Sequence, residues 1–426
     1  MRKIWLEKRI VTKNNIAVYS YPNDSLHSFC LSLYVKYGCI HESESENGLA
    51  HFLEHVTFRN INCAYNGELY RILDKHGLTF NASTYKEFIH FYINGAVKHF
   101  DTAVEIMSKA LSPINIPGTE LEIERKRIKA EIREEDYRTS LECFTNGIVW
   151  QGTPLENSIC GSCKSVDKYN LKNLQEYHSR IFNSNNIFFY VTGAVTDKQT
   201  DMLVNAIGEH SLSNGNEYEN IAAVPKGFGD RRGEVYLKNS SYTIVRFNFD
   251  VNTSKYRDAE LELFFDLMFS GESCVIFQNL SEKSGLVYGY DARFAKYNNI
   301  GNIYFSYEIQ SNKVEETVRV VIESLKSLKS GVGNMIDYVR APYVDNSMIL
   351  FDNPEEFNWN RAYENHILRC DYPDVESRIN AYESVSGDDL CAIAKDVLTV
   401  SNMVVTIKGN KNKINCERIK SIINTI

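Results

Sequence analysis

The most informative segment of this sequence is Gly48-Leu49-Ala50-His51-Phe52-Leu53-Glu54-His55. It carries histidines at positions i and i+4, with a glutamate directly before the second. Because positions i, i+3 and i+4 share one face of a helix, His51, Glu54 and His55 would point into the same small volume. A single histidine beside the apolar face of such a helix is more often a core residue than a ligand. Two histidines and a glutamate at this spacing favour a metal site.

The chemistry of the three side chains narrows the kind of metal site. Two imidazoles on successive helical turns can hold one metal ion, and the carboxylate between them can reach a water on that ion. Histidine-x-x-glutamate-histidine is the inverted zincin order of metalloproteases. A catalytic zinc takes three protein ligands and keeps one position for water. We therefore expect a third ligand, preferably a carboxylate, on a neighbouring helix.

The best source of that carboxylate is the acidic stretch 119–137, which has a strong helical pattern. Leu121, Ile128 and Ile132 mark its inward stripe, and Glu124 and Glu131 flank this stripe on one face. Most of the other charges in the stretch are expected to form a solvated surface. Periodicity alone does not choose between Glu131 and its neighbours.

Composition excludes several classes of protein. A chain of 426 residues predicts about two to three domains. A net charge of −8 argues against a nucleic-acid partner. We expect no secretory signal in residues 1–9, which lack an apolar stretch, and no membrane span, because the sequence has no run of 18 apolar residues. Ten scattered cysteines favour a reducing cytoplasm.

The cysteines themselves are expected to have no metal role. Cys160 and Cys163 form a single Cys-x-x-Cys pair, without the second pair that a zinc knuckle needs, so we interpret them as part of an ordinary loop. A structural zinc site is usually closed by four ligands, often including cysteine. The nearest cysteine after the histidines, Cys63, lies beyond the predicted helix. An open, catalytic site is therefore the favoured interpretation.

The chain repeats itself once. An amphipathic helix followed by a buried strand ends at Gly193, and the same pattern returns 216 residues later at Gly409. A repeat of about half the chain length predicts two homologous domains. We expect a metal-binding domain at 1–212, a Gly/Ser/Asn-rich linker at 213–229 and a domain without metal at 230–426.

Each domain mixes strands and helices without strict alternation, which predicts an α+β fold with a mostly antiparallel sheet and helices packed on one face. The predicted strands are 17–20, 29–37, 88–95 and the strand-like region 234–251, and the predicted helices are 66–76, 96–112 and 256–270.

The His51/Glu54/His55 helix, followed 76 residues after His55 by Glu131, resembles the pitrilysin/insulinase family of zinc metallopeptidases. By that resemblance His51, His55 and Glu131 would bind Zn²⁺, Glu54 would be the general base, and Glu124 would support the site from behind the ligands. The similarity covers nearly the whole chain. The other matching segments are 81–84, 91–92, 153–161, 177–193, 277–280 and 285–288.

The same resemblance implies how a substrate is held. Asn81 and Ala82 match an edge strand that pairs with an extended peptide, and Tyr288 matches a tyrosine that clasps the peptide backbone. The family places an arginine seven residues before this tyrosine, and the present chain has Ser281 there. Serine cannot donate the charged, forked hydrogen bonds of arginine. The family encloses its substrate with four homologous domains, so this two-domain chain is expected to form a dimer: a heterodimer is favoured and a homodimer is the alternative.

The resulting expectation is a cytoplasmic zinc endopeptidase that cleaves peptides or extended segments, including leader peptides of modified natural products. The alternative is a non-catalytic peptide-binding or assembly subunit of the same fold. The four intact catalytic positions favour the enzyme, and the missing arginine favours the alternative.

Overall fold

The computed structural model describes residues 6–134, 140–333 and 335–426. The chain divides into two compact units. The first comprises Met1–Tyr137, Asn157–Asn220 and Met348–Asp374, and the second comprises Arg138–Glu156, Ile221–Ser347 and Val375–Ile426. The last part of the helix predicted at 119–137, residues 135–137, lies outside the described residues, as do residues 1–5 of the N-terminal segment.

The strands, in chain order, are β1 Lys8–Val11, β2 Ala17–Pro22, β3 Ser28–Val35, β4 Thr79–Thr84, β5 Ile89–Ala96, β6 Ile187–Gly193, β7 Glu234–Asn239, β8 Ile244–Val251, β9 Asp291–Lys296, β10 Gly301–Glu308 and β11 Met403–Gly409. The helices are α1 Leu49–Ala64, α2 Leu69–His76, α3 Phe100–Ser108, α4 Gly118–Glu134, α5 Leu141–Val149, α6 Cys163–Val166, α7 Leu171–Ile181, α8 Asp197–Gly208, α9 Asp258–Phe269, α10 Val275–Phe277, α11 Val314–Ser330, α12 Met335–Ile349, α13 Pro354–Ala362, α14 Val375–Glu383, α15 Gly387–Val397 and α16 Cys416–Ile423.

The first unit is built on a sheet of six strands in the order β1-β2-β6-β3-β5-β4. The β2–β6 pair is parallel and the other pairs are antiparallel. Alternate residues of β3, including Phe29, Leu31 and Leu33, are buried in the core that α1 and α3 help to form. Strand β4 ends the sheet, so one of its sides has no neighbouring strand in this order.

The opposite face of this sheet is covered by α13, which comes from the second half of the chain. The Asn358 side chain of α13 donates hydrogen bonds to the carbonyl oxygens of Cys30 and Tyr190, and accepts one from the Tyr34 hydroxyl. These bonds satisfy a buried amide between helix and sheet. Residues 348–374 therefore belong to the first unit, although the sequence groups them with the second half.

The second unit has a five-stranded sheet in the order β7-β11-β8-β10-β9, in which β7–β11 is the parallel pair. One face packs α9, α11 and α15 in a separate core. On the other face, α5 comes from the first half of the chain, and the hydroxyls of Thr145 and Thr406 lie 2.7 Å apart. The predicted α+β fold of two mostly antiparallel domains is confirmed, and each sheet carries an additional helix on its second face.

The repeat seen in the sequence corresponds to equivalent elements. Helix α7 and strand β6 in the first unit reappear as α15 and β11 in the second, each pair shifted by the same number of residues. The predicted linker, 213–229, is divided between the units. Asn183 and Asn186 bond to Asn216 and Tyr218, which fixes the first part of that segment to the first unit. Within the described residues, no helix is long and apolar enough to cross a membrane.

Candidate metal centre

Helix α1 carries the two histidines and Glu54 into a fixed position. Its apolar residues, including Leu49, Phe52 and Leu53, are fully buried, so the helix cannot rotate without exposing them. At its N-terminus the Glu42 carboxylate accepts hydrogen bonds from the backbone N–H groups of Gly48 (2.9 Å) and Ala50 (2.8 Å). Acceptors are required there because the first N–H groups of a helix have no partner inside it. Burial raises the pKa of Glu42 to about 7, although both N–H donors lower it.

Glu131 on α4 faces both histidines. The distance from Nε2 of His51 to Oε1 of Glu131 is 3.5 Å, and that from Nε2 of His55 to Oε2 is 3.7 Å. Ligand bonds of about 2.1 Å at tetrahedral angles separate donor atoms by roughly 3.4 Å. The observed distances are close to this value, and imidazole and carboxylate are the donors of catalytic zinc sites. The residues present therefore fit a divalent metal ion.

Glu124 fixes the orientation of the His55 ring. It is almost fully buried, accepts from Nε of Arg59 at 2.6 Å, and its Oε2 lies 3.1 Å from Nδ1 of His55. A carboxylate at Nδ1 favours the tautomer that keeps its proton there, which leaves Nε2 open toward Glu131. This contact with His55 lies where the family resemblance implies a supporting carboxylate, and the role itself stays a prediction.

The histidines have strongly shifted pKa values. Burial and the neighbouring His55 lower the pKa of His51 to about 4, so its ring is neutral at pH 7 and can act as a ligand. Burial lowers the pKa of His55, but hydrogen bonds with Glu124 and Glu131 outweigh this effect and raise it to about 9. The two carboxylates therefore stabilise a positive charge at His55. A bound cation would replace the proton and supply that charge.

Glu54 lies beside the metal ligands and contacts the edge strand. Its Oε2 accepts a hydrogen bond of 2.6 Å from the Thr84 hydroxyl. Burial raises the pKa of Glu54, and the Thr84 bond partly opposes this. A raised pKa suits a carboxylate that takes up and releases a proton near neutral pH.

The predicted substrate contacts lie on two different elements. Asn81 and Ala82 are on the edge strand β4 and pair with Tyr92 and Phe91 of β5 on its inner side. Tyr288 belongs to the second unit, and its side chain is fully exposed. Ser281, at the position where the family has arginine, lies in the π-helical turn Gln278–Lys283 of the same unit.

Cys160 is a residue of the site that the sequence analysis missed. One ligand atom each from His51, Glu131 and Cys160 lies within 4.8 Å of the other two. Cys160 does lie in a loop, and this loop brings its side chain beside His51 and Glu131, which the sequence did not indicate. The neighbouring glycine provides the reason, because Gly161 has a φ of +71° and packs its backbone against Gly48 at the start of α1.

This contact between glycines leaves no room for a side chain. A Cβ on Gly48 would lie 2.8 Å from the Cys160 carbonyl oxygen, and a Cβ on Gly161 would lie 2.8 Å from the Asn47 carbonyl oxygen. Gly48 also has a positive φ, of +86°. A glycine three residues before His51 gives no hint of this contact by itself. Only the two glycines considered together, although they are far apart in sequence, could have indicated it.

Comparison with known proteins identifies the class that this fold and site define. Residues 18–162 match the family described as "Insulinase (Peptidase family M16)". Residues 168–334 match the domain family described as "Peptidase M16 inactive domain". Together the two matches cover more than half of the chain. The chain belongs to peptidase family M16, as the resemblance of its metal motif predicted.

Individual relatives are distant. The chain is 19% identical over 417 residues to an uncharacterized zinc protease, YmxG, of Bacillus subtilis, covering 95% of this chain and 99% of that protein. It is 26% identical over 171 residues to subunit 1 of the mitochondrial cytochrome b-c1 complex of Bos taurus, covering 40% of this chain and 36% of that protein. A solved protease structure from Helicobacter pylori superposes with a TM-score of 0.81 at 17% identity, covering 96% of this chain and 100% of that one, which shows a shared fold.

Proposed function

We propose that this chain is a zinc-dependent endopeptidase that cleaves peptides or extended segments. The observation that carries the proposal is that Glu131 faces both His51 and His55, with Glu54 on the same helix as the histidines. Family M16 also contains proteins without peptidase activity, so membership alone does not decide the activity. All four positions of the ligands and the base are intact in this chain, which favours the enzyme.

The side chains of the chain itself would act as follows. When bound, zinc lowers the pKa of its water and polarises the carbonyl of the peptide. Glu54, whose Oε2 is held by the Thr84 hydroxyl, would take up a proton and deliver it to the leaving amine. Glu124 and Arg59 keep the His55 ring in the orientation that presents Nε2.

The edge strand β4 would hold the substrate. A peptide that adds to this edge as a further strand gains main-chain hydrogen bonds whatever its sequence, and Asn81 and Ala82 lie where these bonds would form. Such binding selects for extended conformation more than for particular side chains. Leader peptides and unfolded segments meet this requirement.

The partner is part of the proposal. Serine at position 281 cannot replace the guanidinium group that clasps a substrate backbone in the family. We infer that a second, homologous subunit supplies the clasp, which makes a heterodimer the favoured assembly and a homodimer the alternative. The cytoplasmic location indicated by the scattered cysteines belongs to the same proposal.

A second candidate function is a non-catalytic binding or assembly subunit. It is favoured by the match to a subunit of the cytochrome b-c1 complex and by the serine at position 281. A non-catalytic subunit needs neither a metal ion nor a general base. This chain nevertheless has the residues for both, which weighs against the alternative.

One experiment distinguishes the two functions. The purified chain is analysed for zinc and incubated with a peptide library, and products are identified by mass spectrometry with and without a chelator. The peptidase predicts about one zinc per chain and cleavage that stops with chelator and returns with added zinc. The non-catalytic function predicts that the purified chain contains no zinc and leaves every peptide intact. The same result is then expected when the chain is assayed together with the partner captured from the native host.

A further inference from the structure

The first unit contains a cleft on the face of its sheet that α13 covers. Its volume is about 560 Å³, and it is lined by residues of β1, β2 and β6 and by parts of the segments 184–188 and 365–369, all within this unit. Phe188 of the lining stacks on Tyr34, with ring centroids 4.8 Å apart, and Tyr34 bonds to Asn358 of α13. The metal-site helix α1 packs on the other face of the sheet. The size of the cleft is typical of a site for a small molecule.

The charges in this cleft are mostly positive. Arg9, Lys36 and Arg369 are its cations, and Glu217 is the one carboxylate among the described residues that line it, which leaves a net charge of +2 in a chain whose net charge is −8. Two of the cations share a single oxygen, because Nζ of Lys36 lies 2.7 Å and Nη2 of Arg369 lies 3.1 Å from Oε1 of Glu217. The cleft therefore has more positive charge than its own carboxylate can pair.

Arg9 is the cation without a partner. Its side chain forms no ion pair and no hydrogen bond with any residue in the part of the chain that the structure describes. Its strand β1 pairs with β2, where Arg9 lies opposite Tyr19, so its side chain stands on the face of the sheet that carries the cleft. Arg369, in contrast, is also held from outside the cleft by Glu219 at 3.0 Å.

The walls of the cleft are fixed by contacts within the first unit. The His366 ring stacks on Tyr19 with centroids 3.8 Å apart and makes a firm floor. The Asn365 side chain donates to the Tyr372 carbonyl at 2.9 Å and accepts from the Tyr372 N–H at 3.1 Å. The cavity is thus formed before any ligand enters. Neutral polar side chains complete the lining: Asn15, Ser184 and Asn185.

We propose that this cleft binds a small hydrophilic oxyanion, whose phosphate or carboxylate group is recognised by Arg9, Lys36 and Arg369. A guanidinium group presents paired N–H donors that match both kinds of oxyanion, and the lysine adds a point charge. The ligand would give Arg9 a partner and would compete with Glu217 for the other two cations. Binding there needs no metal ion, so the site is independent of the proposed peptidase.

Calorimetric titration of the full chain tests the proposal with two probes, inorganic phosphate and malonate, at constant ionic strength in a chloride buffer. The principal variant is Arg9→Gln, which should fold normally because the Arg9 side chain has no partner to lose. Lys8→Gln is its matched control. It removes one positive charge from the same strand, but the Lys8 side chain points to the opposite face and pairs with Asp197.

We expect the wild type and Lys8→Gln to bind at least one probe with a Kd of about 1 mM or tighter, and Arg9→Gln to bind it at least about tenfold more weakly. Glu217→Gln should bind more tightly than the wild type, because the competing carboxylate is gone. Binding of one probe only would support the site and identify the group it takes. Unchanged affinity in Arg9→Gln, or no saturable binding of either probe by the wild type, would overturn the proposal and leave the peptidase proposal untouched.

Discussion

The Thr84 hydroxyl donates a 2.6 Å hydrogen bond to Oε2 of Glu54, which joins the edge strand β4 to the candidate base on α1. The element that would bind the substrate and the group that would move the proton are thus in direct contact. The bond holds Oε2 of the candidate base in place. Thr84 is therefore a positioning residue in this account, and its effect should appear in the pH dependence of cleavage.

Thr84→Val should move the acid limb of the pH–rate profile to higher pH. The hydroxyl stabilises the ionised carboxylate and so lowers the pKa of Glu54, against the burial that raises it. Without this bond Glu54 stays protonated, and inactive as a base, to a higher pH. The profile of peptide cleavage measures the shift, with Thr79→Val at the exposed start of the same strand as control. Coincident profiles for both variants and the wild type would remove Thr84 from the mechanism.

Glu124→Gln should weaken zinc binding by about 10–100-fold. The amide cannot both hold the Nδ1–H of His55 and neutralise Arg59, so the ring loses the support that presents Nε2. Competition with a chelating dye measures the affinity. Glu122→Gln, on the same helix and with an exposed side chain, is the matched control and should bind zinc as the wild type does. Equal affinities in the two variants would show that Glu124 has only a role in folding.

Gly161→Ala should lower the free energy of unfolding by at least about 2 kcal/mol. Its φ of +71° is unfavourable for alanine, and the new Cβ would collide with the Asn47 carbonyl oxygen. Gly118→Ala, where no atom lies within 4 Å of the added Cβ, should change stability by less than about 1 kcal/mol. Urea denaturation compares the two. A neutral Gly161→Ala would contradict the backbone contact that positions Cys160.

Acid should destabilise the protein partly through His178. Burial lowers the pKa of this histidine from 6.5 to about 4, although its bond to the Ala110 carbonyl raises it. Because the folded pKa lies below the unfolded one, the neutral ring contributes stability above pH 6.5, and this contribution is lost as the pH falls toward 4. The loss from this group is at most about 3 kcal/mol.

Urea denaturation between pH 7.5 and 4.5 measures this effect. His178→Phe should have a flatter dependence of stability on pH than the wild type, whatever its stability at neutral pH. His27→Asn, which replaces an exposed histidine, should keep the wild-type slope. Parallel curves for His178→Phe and the wild type would show that His178 does not become protonated on unfolding.

The sequence was sufficient for the features that depend on local spacing. The His51/Glu54/His55 face follows from helical geometry, and the repeat that ends at Gly193 and Gly409 corresponds to two equivalent helix–strand pairs. The edge position of β4 came from family resemblance and agrees with the strand order of the sheet.

Features that depend on how elements dock could not be read from the sequence. The choice of Glu131 over its neighbours depends on how α4 packs against α1, which the periodicity of a single helix does not encode. The sequence repeat divides the chain into two successive halves, so it gave no sign that 138–156 and 348–374 belong to the unit of the other half. Cys160 reaches the site through a contact between glycines more than 100 residues apart.

The central claim is that a metal ion and Glu54 together cleave a peptide bond, and the most direct test is the turnover of a zinc-loaded Glu54→Gln chain. Zinc content is measured by elemental analysis and cleavage by mass spectrometry on the same sample, beside the wild type and Glu44→Gln, which changes an exposed carboxylate. The account predicts one zinc per chain in all three proteins and no detectable cleavage by Glu54→Gln alone. Wild-type turnover by zinc-loaded Glu54→Gln would contradict it.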